Sequence, residues 1–230
     1  MIDALLFDKD GTLFDFRKSW GAWAQSFLTQ IATDADHASR LAAAVGYLPD
    51  TNDFRPDSPV IAATAADIAA TLQPHLPGAG LAELTGRIDQ AAALAGMVEA
   101  VPLVPLFTAL RGRGLKLGIV TNDSERPARA HMAAHGLTGL VDFIAGYDSG
   151  HGAKPAPGML NAFLREQGLR PERVAMIGDS RHDMEAGHAA GMTRIAVLTG
   201  IATEADLAPH ADLVLRDIGA LPAWLDQLSD

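Results

Sequence analysis

The 230-residue chain contains no cysteine, which excludes disulfides and thiolate-ligated metal sites. Basic residues are few. Eighteen Lys and Arg against 28 Asp and Glu leave a formal charge of −10, which argues against general affinity for nucleic acid or acidic membrane surfaces. An anionic substrate is not excluded, because local positive groups or a bound cation can override the net charge. No apolar run reaches the roughly 18–20 residues that a membrane span requires. Met1-Ile2-Asp3 lacks the basic segment and long apolar core of a signal peptide, so a cytoplasmic protein is expected. What is present, 48% hydrophobic and 20% charged residues, suits one large domain or one domain carrying an insertion.

The chain is organised around Asp8-Lys9-Asp10-Gly11-Thr12-Leu13-Phe14. Ala4-Leu5-Leu6-Phe7 has the length and flanks of a buried strand and stops at two carboxylates two residues apart. Residues i and i+2 of a strand face the same way, so Asp8 and Asp10 can point into one small volume. Crowded carboxylates repel unless a positive group lies between them or one keeps its proton. Taken alone, this stretch reads equally well as an acidic turn punctuated by Gly11.

From Arg17 to about Ala100 the pattern is almost entirely helical, with no convincing strand. Trp20, Trp23, Phe27 and Ile31 form one apolar helical stripe that reads as packing. Gly46 to Pro59 reads as a loop, and Ser58-Pro59 as a helix start with Ser at the N-cap. Beyond Val101 strands and helices alternate, with strands expected at 115–120, 141–145, 173–177, 195–198 and 213–215. That alternation is the sequence form of a parallel sheet covered by helices on both faces, which the first strand most simply joins.

Ligands of such sheets sit beyond the carboxyl ends of the strands. The residues that follow the strands are Asp8 and Asp10, then Thr121 and Asn122, then Lys154, then Asp179 and Asp183. Oxygen ligands without cysteine point to Mg²⁺. A cation, a lysine and the helix N-terminus after Thr121 supply what a phosphate dianion needs. His131 and His135 have the i, i+4 spacing of metal ligands but no third ligand in view, and read as packing; His151 and His182 lie nearer the rim.

Asp8-Lys9-Asp10-Gly11-Thr12-Leu13, Thr121-Asn122, Lys154-Pro155 and Gly178-Asp179-Ser180 with Asp183 resemble, in order, the four motifs of the haloacid dehalogenase superfamily. The resemblance implies an α/β fold: a Rossmann-like doubly wound parallel sheet core (1–15 and 99–230) with an inserted all-helical cap domain (16–98). It implies Asp8 as nucleophile, Asp10 as general acid and then base, Thr121 and Asn122 at the phosphoryl group, and Lys154 offsetting negative charge. Asp8, Asp179, Asp183 and the backbone of Asp10 would hold Mg²⁺, while Thr12 and Asp15 would tie down the loop. The second acid, Asp10, argues for phosphoryl chemistry over dehalogenation.

Lys154-Pro155-Ala156-Pro157 and the helical block are most similar to phosphoglycolate phosphatase-like enzymes, which implies a small phosphorylated metabolite, 2-phosphoglycolate first, and a monomer or homodimer. Lys9 departs from that group, where an apolar residue is common. Arg55 and Ser58, in the polar loop of the helical block, are expected to reach the non-phosphate end of the substrate when the cap closes, since a guanidinium binds carboxylate bidentately. A sugar phosphomutase shares the motifs and stays open as an alternative. A receiver-like phospho-switch is the alternative of a different class, disfavoured because the acceptor lies on the first strand and a helical block follows it.

Overall fold

The computed structural model describes residues 2–228; Met1, Ser229 and Asp230, at the ends of the expected core ranges, lie outside the described residues. The apolar run at the start forms β1 (Ala4–Phe7), buried along its whole length. After it come α1 (Phe16–Ile31), α2 (Ala35–Ala44), the antiparallel pair β2 (Tyr47–Leu48) and β3 (Asp53–Phe54), α3 (Ala65–Leu72) and α4 (Leu81–Ala93). The chain continues through α5 (Leu103–Gly112), β4 (Lys116–Val120), α6 (Glu125–Ala134), β5 (Phe143–Ala145) and α7 (Gly158–Gln167). It ends with β6 (Val174–Gly178), α8 (Arg181–Ala190), β7 (Thr193–Val197), a single-turn α9 (Glu204–Leu207), β8 (Leu213–Leu215) and α10 (Leu221–Gln227).

Six strands make one all-parallel sheet in the order β5-β4-β1-β6-β7-β8. From β1 the chain winds outward through β4 and β5, then crosses back to β6 and winds outward the other way. The direction reverses between β1 and β6, and the crevice beyond their carboxyl ends is where such sheets bind ligands. Alternate residues of β1 enter different cores. Leu5 and Phe7 pack with Phe107, Leu117 and Ile119, whereas Ala4 and Leu6 pack with Phe163, Val174 and Met176. This alternation is the signature of a sheet covered on both faces, the expected fold class.

Two local features of the helical insertion differ from expectation. The stretch 46–59 contains the β2–β3 ribbon, turned at Asn52 (φ 52°), where the sequence suggests only loop. The helix expected from Ser58-Pro59 instead begins at Ala65, because Thr64 and Asp67 cap each other's backbone N–H groups reciprocally. Ser58 lacks a reciprocal acidic partner; its hydroxyl accepts from Val60 N at 3.2 Å and donates to Val45 O at 2.6 Å. Among the described residues, no helix is long and apolar enough to cross a membrane.

Candidate active site

Parallel pairing extends one residue past β1: the Asp8 N–H donates to Ile177 O at 2.8 Å, which fixes Asp8 between the ends of β1 and β6. Lys154, from the loop ahead of α7, reaches the same point and is buried. Its ammonium donates to Asp8 Oδ1 at 2.7 Å, Asp183 Oδ1 at 2.6 Å and Val120 O at 3.0 Å, so all three of its protons are used. Asp183 opens α8 in a reciprocal cap, its Oδ2 accepting from Ser180 N at 3.1 Å and Ser180 Oγ at 2.6 Å. Asp183 is therefore fully bonded, and it acts on Asp8 through Lys154.

Asp179 is held differently. A Cβ on Gly11 would stand 2.2 Å from Asp179 Oδ2, and one on Gly200 only 1.7 Å away. Gly11 also sits at φ +79°, a conformation that disfavours any side chain. The carboxylate lies in a slot that two glycines leave open, and Thr199 Oγ1 donates to Gly11 O at 2.6 Å to hold the slot together. Among the described residues no lysine, arginine or histidine forms an ion pair with Asp179. Asp8, Asp179 and Asp183 bring one oxygen each within 4.8 Å of one another, all three buried.

The charges are out of balance. Burial, together with Asp183 and Asp10, pushes Asp8 up to about 7 despite Lys154. Burial and the charges of Asp8 and Asp183 push Asp179 well above the usual carboxylate range. Burial alone would lower the Lys154 ammonium, yet Asp183 and Asp8 hold it above its ordinary value. Three carboxylates with one ammonium, all donors oxygen and one donor unpaired, fit a hard divalent cation that restores neutrality.

Thr121 and Asn122 follow β4. The Thr121 hydroxyl accepts from Asp123 N at 3.0 Å and borders the cleft. Asn122 joins three segments: its Nδ2 donates to Lys154 O and Ala62 O, both at 2.9 Å, and its Oδ1 accepts from Lys154 N at 2.8 Å. It therefore positions the Lys154 loop and ties it to the insertion. Asp15 caps α1 by accepting from Lys18 N at 3.1 Å, as a loop-tying residue should. Thr12 ties nothing through its hydroxyl, which is buried without a partner.

Lys9 turns away from Lys154 and is fully buried. Its ammonium lies 2.7 Å from Asp10 Oδ1, 3.1 Å from Asp123 Oδ2 and 3.3 Å from His131 Nδ1, with the Trp20 ring 5.1 Å away. Burial opposes its charge, but Asp10 and Asp123 hold its pKa above the ordinary value. Burial pushes Asp123 up to about 6, partly countered by Lys9. Burial and the Lys9 charge push His131 down to about 4, and its Nε2 lies 2.9 Å from Ala92 O. His135 pairs with Glu99 at 2.8 Å. Both histidines thus pack, as their spacing without a third ligand suggests.

The cleft above this floor is bordered by Asp8, Asp10, Thr121, Asn122, Lys154 and His182 from the sheet side. Of the two rim histidines only His182 lines it; His151 borders a separate depression. Arg55 does not line the cleft. Its Nε donates to Asp57 Oδ1 at 3.1 Å on an exposed loop, because the ribbon places it outside the opening. Ser58 borders only an adjoining depression, with its hydroxyl engaged by Val45.

Two residues that the sequence did not single out belong to the site. Trp20 Nε1 donates to Asp10 Oδ1 at 2.8 Å, and Asp123 shares Lys9 with Asp10. Asp123 directly follows Thr121-Asn122 and was open to notice there. Nothing local marks Trp20 apart from the packing stripe, since its role depends on α1 folding back over the strand ends. Ser124, which opens α6, donates to Asp89 of α4 at 2.6 Å and adds another tie between insertion and sheet.

Comparison with known proteins gives the family of the chain and its fold. The chain is 28% identical to a phosphoglycolate phosphatase of Rhodobacter capsulatus over 98% of both chains. It is 33% identical to one of Rhodospirillum rubrum, a match that takes in 57% of this chain and little over half, 55%, of that relative. Among solved structures, CbbY from Rhodobacter sphaeroides in complex with phosphate superposes with a TM-score of 0.72 at 20% identity, covering 96% of each chain, which shows a shared fold. Residues 2–191 match the haloacid dehalogenase-like hydrolases, and the chain belongs to that family.

Proposed function

We propose that this hydrolase is a Mg²⁺-dependent phosphomonoesterase working through an aspartyl-phosphate on Asp8. The observation that carries the proposal is the placement of Asp8 at the switch point of the sheet, 2.7 Å from Lys154, with Asp10 bordering the same cleft. A carboxylate needs no separate base to attack. Asp8 attacks phosphorus, the ester P–O bond breaks, and Asp10 gives its proton to the departing alkoxide. Water then attacks the aspartyl-phosphate while Asp10 takes up its proton, releasing inorganic phosphate and restoring the Asp8 carboxylate. Lys154 offsets the phosphoryl charge, the Thr121 hydroxyl donates to a phosphoryl oxygen, and Asn122 keeps the Lys154 loop in register. Asp8, Asp179 and the Asp10 carbonyl would hold Mg²⁺, with Asp183 behind them; the cation supplies charge neutralisation at the transferring phosphoryl group.

In this proposal residues 16–98 are a cap over a core of 1–15 and 99–230. The names of the relatives support 2-phosphoglycolate as the substrate, although no arginine lines the cleft to receive its carboxylate. No observation favours the mutase alternative. Release of inorganic phosphate from p-nitrophenyl phosphate with Mg²⁺ tests the mechanism. Turnover is expected in the wild type and absent in Asp8→Asn; turnover that survives the substitution overturns the assignment of the nucleophile.

A further inference from the structure

The two walls of the cleft differ in chemistry. Every charged side chain that borders it belongs to the sheet side. Ten lining residues come from the helical insertion, Trp20, Trp23, Ile61, Ile68, Ile88 and Ala92 among them, and all ten are apolar. Of the two indole N–H groups on this wall, that of Trp20 is taken by Asp10, and that of Trp23 is buried without a partner. Lys154 is the sole Lys or Arg among the lining residues, and its three protons are used at the phosphoryl end. Lys9 lies beneath the floor, fully buried against Asp10 and Asp123.

A carboxylate on the alcohol half of the substrate would therefore meet no free lysine or arginine and would lie beside the carboxylates of Asp10 and Asp123. Sugar hydroxyls would be desolvated against Ile and Trp side chains with almost no partners, which is unfavourable. A hydrocarbon surface gains from that same wall. We propose that the phosphate ester this site takes carries a neutral, apolar alcohol, alkyl or aryl, rather than a hydroxy acid or a sugar. This specificity rests on the phosphomonoesterase function above and sets an apolar ester in place of the 2-phosphoglycolate that the relatives' names suggest.

The test is a panel of esters on the wild-type enzyme with Mg²⁺: ethyl, propyl, butyl and pentyl phosphate, 2-phosphoglycolate, glucose 6-phosphate, choline phosphate and p-nitrophenyl phosphate. The alkyl series holds leaving-group acidity nearly constant. Its kcat/KM is expected to rise about fourfold per methylene, the equivalent of about 0.8 kcal/mol for each buried CH₂, hence about sixtyfold from ethyl to pentyl. The carboxylate, sugar and choline esters should all fall below butyl phosphate. Ile61→Arg, which puts a cation on the partly exposed edge of the apolar wall, should narrow the gap between butyl phosphate and 2-phosphoglycolate. A flat alkyl series, or any of the three polar esters outrunning butyl phosphate, overturns the apolar specificity and leaves the phosphatase function standing. No hydrolysis of any ester, p-nitrophenyl phosphate included, overturns both.

Discussion

Replacing Lys9 by methionine, nearly the same shape without the charge, should cost a substantial share of a domain's margin of stability at alkaline pH. In the native protein the Lys9 ammonium lies 2.7 Å from Asp10 and 3.1 Å from Asp123, and its side chain is wholly buried. Removing one member of a buried ion pair typically costs about 3–5 kcal/mol, because the partner charge is left without compensation. Asp10 would keep the N–H of Trp20 and Asp123 that of Ser124, so about 3 kcal/mol is expected here. Set against a total of about 5–15 kcal/mol for a typical domain, that is a large loss. The deficit should also depend on pH. Burial already pushes Asp123 up to about 6, and loss of the neighbouring cation drives it higher. The variant can then neutralise Asp123 by binding a proton, so its deficit shrinks as the pH falls from 8 to 5.5. Asp123→Asn in the Lys9→Met background should recover much of the loss at pH 8. Guanidinium unfolding followed by tryptophan fluorescence at the two pH values measures all three effects. A deficit under about 1 kcal/mol at pH 8, the scale of an ordinary surface change, would refute the buried-pair argument.

Further predictions concern His131 and Gly200. The imidazole is held down to about 4 against an ordinary value of 6.5, so the unfolded chain binds its proton first as pH falls and stability drains away between 6.5 and 4. At 1.36 kcal/mol per pH unit the gap corresponds to about 3 kcal/mol. Asp123, raised in the folded state, works in the opposite sense and gains stability on acidification, so the useful quantity is the difference between wild type and His131→Gln. That difference should fall by about 3 kcal/mol from pH 7 to pH 4, and a constant difference would sink the assignment. Gly200→Ala places a Cβ 1.7 Å from the present position of Asp179 Oδ2 and must displace that carboxylate. The Mg²⁺ concentration for half-maximal activity should rise about 10–100-fold, the range seen when the support of a metal ligand is lost; an unchanged Mg²⁺ titration would remove Asp179 from the metal site.

The parts of this fold that could be read from the sequence are those set by local composition. The run Ala4–Phe7 is a strand over just those residues, because four apolar side chains in a row can be buried on both faces of a sheet. The strands at β4, β6, β7 and β8 lie within one or two residues of expectation for the same reason. The list of residues beyond the strand ends could be drawn up because parallel sheets bind ligands only there, and Asp8, Asp10, Thr121, Asn122 and Lys154 do border one cleft. Less legible were the choice between competing local partners and whatever depends on contacts between distant segments. Arg55 looked like a carboxylate receptor because its loop was polar, but Asp57, two residues on, takes its guanidinium. Ser58-Pro59 carried a helix-start signal that the stronger Thr64–Asp67 pair overrode. Lys9 had no visible role, since Asp123 and His131 come to it from more than a hundred residues away.

The hydrogen bonds between insertion and sheet set how chemistry and access are linked. Trp20 to Asp10, Asn122 to Ala62, Ser124 to Asp89 and His131 to Ala92 join the insertion to the sheet side. Each can be exchanged for water at a net cost of about 0.5–1.5 kcal/mol, and parting the two walls would also expose part of the apolar core they share. Yet one of the four bonds ends on the carboxylate assigned to proton transfer. Any displacement of the insertion from the sheet side would take the Trp20 indole from Asp10 and leave Lys9 as its remaining partner. Under the function proposed above, the orientation of Asp10 and the closeness of the apolar wall are therefore one property, carried by a single side chain that belongs to both.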